Sequence, residues 1–159
     1  MKTSRLALTA LVCAAAVGLS GCGMRIPADP HGTIERVEGG TLRVGATELS
    51  PWVELDAGGE PSGLEPELVT EFAETLDAEV QWATGSEAHL LDALERGEID
   101  MVIGGFRDDT PWTEGGAVTR PYTERRTENG VEKHVMIVRM GENALLTELE
   151  TFLHEEGAS

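Results

Sequence analysis

The apolar positions of this chain follow two spacings that alternate along it. Short apolar runs at residues 41–46, 80–82 and 99–103 are typical of buried strands. Between these runs, apolar residues recur on one face of a helix, which predicts two amphipathic helices carrying Leu64, Leu68, Phe72 and Leu76, and then Leu90, Leu91 and Leu94. The order strand, helix, strand, helix, strand predicts an α/β lobe with a mainly parallel sheet and right-handed crossovers.

Weaker patterns flank this unit. Residues 33–37 alternate and meet a Glu-Gly-Gly turn signal, which predicts a hairpin leading into the sheet. Residues 123–133 are polar, which predicts a loop or a hairpin turn, and the apolar run 134–138 predicts a fourth, internal strand. A final helix is expected after residues 141–143, with an apolar face of Leu145, Leu149, Phe152 and Leu153.

The first 21 residues have the features of an export signal. Lys2 and Arg5 precede an apolar run that is too short to cross a bilayer as a mature helix. The run ends in Leu-Ser-Gly-Cys22, which resembles a bacterial lipobox and predicts a lipid such as palmitate on Cys22; an ordinary secretory signal with an incidental cysteine is the alternative. We expect residues 1–21 to be removed, 22–32 to be a tether, and 33–159 to be one lobe anchored outside the cell membrane.

The charge of the chain is strongly acidic, with 29 Asp and Glu residues against 12 Lys and Arg residues. Such a surface repels nucleic acid, so no nucleic-acid partner is expected. Cys13 leaves with the signal and Cys22 carries the lipid, so no thiol remains for a disulfide, a metal site or a nucleophile. The histidines lack metal-ligand spacing and no catalytic constellation stands out. We therefore expect no enzyme activity, cofactor or metal.

The candidate binding residues lie near the ends of the predicted strands. Gly104 and Gly105 close the third strand and open a charged loop, and ligands of open α/β sheets bind beyond the carboxyl ends of strands. Glycine lets a ligand approach the backbone closely, although a plain strand-to-loop turn would use the same residues. The predicted ligand-binding set is Trp52, Gly63, Gly105, Arg107, Asp109, Thr110 and Trp112.

Three of these assignments have alternatives. Trp52 follows a strand end and either stacks on a ligand or caps the core. Arg107 pairs either with a ligand anion or with a neighbouring aspartate. Asp108 and Asp109, with Glu114, form either a site for a hard cation or a solvated acidic loop.

The order of short motifs between residues 41 and 123 resembles the bacterial extracellular solute-binding proteins of family 3, the periplasmic receptors of polar amino-acid ABC importers. The matching segments are Leu42-Arg43-Val44-Gly45, Pro51-Trp52, the Pro-Ser-Gly-Leu-Glu-Pro-Glu-Leu run at 61–68, the helix end and strand at 94–100 with Gly104-Gly105, and Thr119-Arg120-Pro121-Tyr122. The resemblance implies a three-layer lobe like one half of a type II periplasmic binding protein.

Two departures from the family pattern bear on function. The family has two lobes that close on the ligand, whereas this chain has length for one, with residues 134–138 returning into it. The family's ligand loop also carries an arginine that clamps a carboxylate, and the segment Thr110-Pro111-Trp112-Thr113-Glu114 lacks it.

Three functions follow from the resemblance and its departures. The first is a substrate-binding lipoprotein for a small polar solute, possible partners being a permease, a second lobe or a second copy. The second is a ligand-free regulatory or scaffolding lipoprotein that contacts another envelope protein. The third is a periplasmic dehydratase-like enzyme, which is disfavoured because an open half-site does not exclude water.

Overall fold

The computed structural model describes residues 29–58, 60–128 and 130–157, so the predicted signal, Cys22 and most of the tether lie outside the described residues. The elements are α1 Thr33–Val37, β1 Thr41–Ala46, β2 Glu54–Leu55, β3 Pro61–Ser62, α2 Leu64–Thr75, β4 Glu79–Thr84, α3 Glu87–Glu95, β5 Met101–Ile103, a 3-10 turn Pro111–Glu114, β6 Gly116–Val118, β7 Thr123–Thr127, β8 Gly130–His134, β9 Ile137–Arg139 and α4 Asn143–Gly157. Within these described ranges, no helix has the length and apolar character needed to cross a membrane.

The central sheet has the strand order β4-β1-β5-β9-β6. Strand β1 is parallel to β4 and β5, which confirms the parallel unit predicted from the alternating strands and helices. Strand β9 runs antiparallel to both β5 and β6. The returning chain is therefore internal, as predicted, but its sheet strand is Ile137–Arg139 rather than 134–138, and His134 belongs to a separate two-stranded hairpin of β7 and β8.

Two apolar clusters cover opposite faces of this sheet. Because side chains of a strand alternate between faces, Met101 and Ile103 enter one cluster and Val102 enters the other. The first cluster is built with Phe72 of α2 and with leucines of α4, and the second with the three leucines of α3. The lobe thus has three layers, with helices on both faces of a mainly parallel sheet, as one half of a type II periplasmic binding protein does.

Residues 33–37 form helix α1, so the prediction of a hairpin at this position is wrong. Thr33 and Val37 are the buried residues of the segment, and their spacing of one helical turn accounts for the weak apolar pattern. Asp29 stabilises the turn, since its Oδ2 accepts a hydrogen bond of 2.8 Å from the Ile34 amide. A side chain outside the segment therefore helps to decide its conformation.

Residues 29–32 contact the lobe, which the tether prediction did not include. Asp29 Oδ1 accepts a hydrogen bond of 2.7 Å from the Ala144 amide at the start of α4, and His31 Nδ1 lies 2.6 Å from Glu142 Oε1. Glu142 is buried, and although burial alone would raise its pKa, hydrogen bonds from Thr33 and His31 hold the pKa of this carboxyl below its ordinary value. The segment next to the lobe is thus tied to α4.

Candidate functional site

A cleft with a volume of about 470 Å³ lies at the carboxyl ends of β1 and β5. Its walls are the loop that follows β5 and the β7–β8 hairpin, which lie beside each other because the Asp108 amide donates a hydrogen bond of 2.9 Å to the Lys133 carbonyl. The cleft brings together six of the seven residues predicted to bind a ligand: Trp52, Gly105, Arg107, Asp109, Thr110 and Trp112. The other polar residues of the lining are Ser50, Glu87, Glu132 and His134, which are not among the residues predicted to bind a ligand.

Gly63 is the predicted residue that does not line this cleft. It lies at the start of α2 and borders a separate, shallower pocket. Its φ of 108° is one that side chains rarely adopt, and a Cβ at this position would lie 2.9 Å from the Trp52 carbonyl oxygen. Tight backbone packing explains the need for glycine at this position, and Gly63 lies outside the cleft that the other six residues line.

The floor of the cleft is fixed by a buried carboxylate. Glu65 is fully buried, and its Oε2 accepts hydrogen bonds of 2.8 Å from the Gly104 amide and 2.9 Å from the Gly105 amide. Its Oε1 accepts a hydrogen bond of 2.6 Å from the Tyr122 hydroxyl. Burial raises the pKa of Glu65, and the three hydrogen bonds offset part of that rise. The first turn of α2 therefore holds the loop after β5 in place.

The two glycines of this loop are required by protein packing. A Cβ on Gly104 would lie 2.1 Å from the Thr47 side chain, and one on Gly105 would lie 2.5 Å from the Trp52 ring. Gly105 also has a φ of 64°. The sequence left open a close approach by a ligand or a plain strand-to-loop turn, and in the structure protein side chains lie against both glycines.

Trp52 caps the core and also borders the cleft. Only 8% of its surface is exposed, because its ring packs on His134 with the ring centroids 3.8 Å apart and meets the edge of Tyr122. The core-cap interpretation thus describes most of this side chain, and its remaining surface is part of the cleft wall.

His134 is a buried polar side chain in the wall of the cleft. Its Nδ1 lies 3.2 Å from the Gly105 carbonyl oxygen, and its Nε2 has no hydrogen-bond partner among the residues that the structure describes. Burial lowers the pKa of His134, so the imidazole is neutral at pH 7. A neutral imidazole that donates through Nδ1 leaves Nε2 as an acceptor.

The charged side chains of the cleft are paired with each other. Arg107 Nε lies 3.2 Å from Asp109 Oδ1, and its Nη1 lies 3.4 Å from Glu132 Oε1. The Trp112 indole nitrogen donates a hydrogen bond of 2.9 Å to Glu87 Oε2. Arg107 thus pairs with a neighbouring aspartate, one of the two alternatives. Across the described parts of the chain, no group of three or more His, Cys, Asp or Glu side chains is placed to hold a metal ion.

Sequence reasoning missed Glu65 and His134 for different reasons. Glu65 had the signal of a helix first turn, where an acidic residue is favourable in any helix. His134 was placed in an internal strand, which hid its position on the hairpin. Tyr122 belongs to the Thr-Arg-Pro-Tyr motif at 119–122, which gives no sign of its hydrogen bond to Glu65, 57 positions away.

Comparison with known proteins gives one family model and several solved structures. The model described as bacterial extracellular solute-binding proteins, family 3, matches residues 42–159. The arginine-bound form of domain 1 from TmArgBP has a TM-score of 0.66 and 25% identity, covering 76% of this chain and 97% of that one. An ancestral cationic amino acid solute binding protein has a TM-score of 0.66 and 15% identity, covering 79% of this chain and 94% of that one.

Two further proteins are also similar to this chain. The unliganded, open L-cystine solute receptor of Neisseria gonorrhoeae has a TM-score of 0.64 and 14% identity, covering 79% of this chain and 91% of that one. Membrane-bound lytic murein transglycosylase F of Vibrio cholerae is 33% identical over 88 residues, which are 53% of this chain. The match spans only 16% of that protein.

Proposed function

The chain belongs to the bacterial extracellular solute-binding proteins, family 3, and on that premise we propose that it is the substrate-binding component of a transport system for a small polar solute. In this proposal Cys22 carries a lipid anchor that holds the lobe at the outer side of the cell membrane, and a membrane permease receives the solute. The lobe binds without chemical conversion of the solute.

The observation that carries the proposal is the convergence of six predicted residues on one cleft. They come from the loop after β1 and the loop after β5, and a cleft of about 470 Å³ is of the size that small ligands occupy. Its position at the carboxyl ends of parallel strands is the usual ligand position in open α/β sheets.

A single lobe is sufficient for binding in one relative. Domain 1 from TmArgBP has an arginine-bound form, and this chain covers 97% of that domain. The length of the chain therefore does not argue against a solute, although a lone lobe buries less ligand surface and is expected to bind more weakly than two lobes.

The state of the acidic groups supports binding rather than catalysis. Glu87 and Asp109 are exposed carboxylates in the cleft, whereas Glu65, whose pKa is raised, uses both oxygens to hold the protein's own groups. General acid–base chemistry needs such a group within reach of the substrate.

The test is a calorimetric titration of the full chain with a panel of amino acids at millimolar concentration. A solute is expected to bind, and Trp112→Ala to weaken it about tenfold or more because the indole is a wall of the cleft. Met140→Ala is the matched control, since Met140 is 52% exposed and follows β9 away from the cleft. Failure of every solute to bind would refute the proposal.

One observation favours the second candidate, a ligand-free regulatory or scaffolding lipoprotein. Arg107, the basic side chain of the cleft lining, is already paired with Asp109 and Glu132, and their charge opposes a ligand carboxylate. If no solute of the panel gives binding heat with a protein that unfolds cooperatively, the cleft loops are better explained as a contact surface for another envelope protein.

A further inference from the structure

We propose that the cleft selects an organic cation, a solute with a guanidinium or primary ammonium group, and that an α-carboxylate is not needed for binding. This inference rests on the proposed function and names the class of its ligand. It comes from counting which hydrogen-bonding groups of the cleft are already used and which are left for a solute.

Four backbone amides at the strand end are used by the protein. The amides of Gly104 and Gly105 both donate to Glu65 Oε2. The amide of Asp108 donates to the Lys133 carbonyl, and the amide of Thr110 donates to the Arg107 carbonyl at 3.0 Å. A carboxylate entering the cleft would therefore find these amides occupied.

The side-chain nitrogen donors are engaged as well. The Trp112 indole nitrogen donates to Glu87. The charge of the Arg107 guanidinium is opposed by Asp109 on one side and by Glu132 on the other. An anionic ligand could reach only the remaining N–H groups of Arg107, and it would lie beside these two carboxylates, whose charge repels it.

The acceptors, in contrast, exceed the donors. Three carboxylates, those of Glu87, Asp109 and Glu132, line the cleft with a single guanidinium, which leaves an excess of negative charge. His134 Nε2 adds a buried acceptor that has no partner among the described residues. Because a carbonyl oxygen only accepts, the contact from His134 Nδ1 to Gly105 is a hydrogen bond when Nδ1 carries the proton, which leaves Nε2 with its lone pair.

A solute that complements the cleft has hydrogen-bond donors and a positive charge. Guanidinium and ammonium groups have several N–H donors and no acceptor, so they complement carboxylates directly. The ring of Trp112 lines the same cleft, and aromatic faces attract organic cations. Charge, hydrogen bonding and ring placement thus favour the same class of ligand.

The experiment compares three probes by calorimetric titration of the full chain: arginine, its decarboxylated analogue agmatine, and the dianion glutarate. Arginine and agmatine are expected to bind with dissociation constants within about threefold of each other, and glutarate to give no binding heat. Glu87→Gln and Glu132→Gln are each expected to weaken agmatine about tenfold, since they remove charge at nearly constant shape. Glu148→Gln, on an exposed position of α4, is the matched control and is expected to change nothing.

The outcomes separate this inference from the proposed function. Binding of arginine without agmatine would show that a carboxylate is required and would overturn the cation assignment while solute binding stands. Binding of glutarate or of a neutral amino acid as tightly as arginine would do the same. An agmatine dissociation constant that is unchanged in both Glu87→Gln and Glu132→Gln would show that the cation binds elsewhere and would overturn the inference. If neither these probes nor any amino acid of the panel gives binding heat, the proposed function itself is refuted.

Discussion

Charged side chains meet near both ends of the parallel strands, with different results. Near the amino ends, Asp100 is 1% exposed and accepts hydrogen bonds from the backbone amide and guanidinium of Arg43 and from the guanidinium of Arg36. At the carboxyl ends, Arg107 is paired with Asp109, which is 69% exposed, and with Glu132, which is 33% exposed, and His134 Nε2 is unpaired among the described residues.

Under the proposed function, the amino ends serve stability and the carboxyl ends serve binding. The carboxylate of Asp100 is satisfied by protein groups, so a ligand has nothing to gain there. The cleft has acceptors in excess of donors and a buried imidazole nitrogen without a partner among the described residues, and under the proposed function a bound solute would satisfy these groups. Substitutions at the two ends should therefore have different consequences.

The largest effect is expected from Asp100→Ala. Removing the carboxylate leaves two guanidinium groups and a backbone amide without their acceptor, which should lower the free energy of unfolding by about 3 kcal/mol. Solute affinity should stay unchanged, because the substitution lies away from the cleft. Urea denaturation and calorimetry measure the two quantities, and lost binding at intact stability would contradict the assignment. Arg96→Ala is the control: it removes an exposed ion pair with Asp92 and should leave the free energy of unfolding nearly unchanged.

A smaller effect is expected at Glu65, which connects the core to the cleft. Glu65→Ala leaves the amides of Gly104 and Gly105 buried without an acceptor, and should lower the free energy of unfolding by about 2 kcal/mol. Burying the Glu65 carboxylate is unfavourable, as its raised pKa shows. Removing the carboxylate therefore recovers some stability and offsets part of the loss from the two unpaired amides.

Tyr122→Phe is the companion variant, since it removes a single donor to Glu65 and should cost about 1 kcal/mol. Solute affinity should fall with Glu65→Ala and change less with Tyr122→Phe. Equal affinities in both variants and the wild type would show that the loop after β5 does not need this carboxylate.

The smallest effect is a pH dependence carried by His134. Its pKa is lowered from 6.5 in the folded state, so protonation favours the unfolded chain. Its contribution to stability is present above the unfolded pKa and is lost as pH falls through 6.5 toward the folded pKa. Relative to His134→Phe, which keeps a ring against Trp52, the wild type should lose stability as the pH falls below 6.5. Parallel pH profiles for the two proteins would contradict this.

The elements that the sequence predicted correctly are those with local patterns. Helices α2 and α3 have apolar faces several turns long, and the three parallel strands are short apolar runs between them. The period of each pattern is set by the element itself, so no distant contact is needed to recognise it.

The errors lie where distant contacts decide. Helix α1 is five residues long and is stabilised by Asp29 and by packing near α4, which no local pattern reveals. At the site, Glu65 reaches the loop after β5 across 39 positions and His134 reaches it across 29. Trp52, Arg107, Asp109, Thr110 and Trp112 were predictable because they lie beside strand ends, whereas the hairpin residues required knowledge of how the chain returns.

The most direct test of solute binding at the carboxyl ends is a nitrogen-15 NMR titration of the full chain with arginine. The account predicts shifts of the Trp112 indole nitrogen and of His134 Nε2, with the Arg43 amide near Asp100 unmoved. Shifts confined to the Arg43 side of the sheet, or none at either end at millimolar arginine and other amino acids, would contradict it.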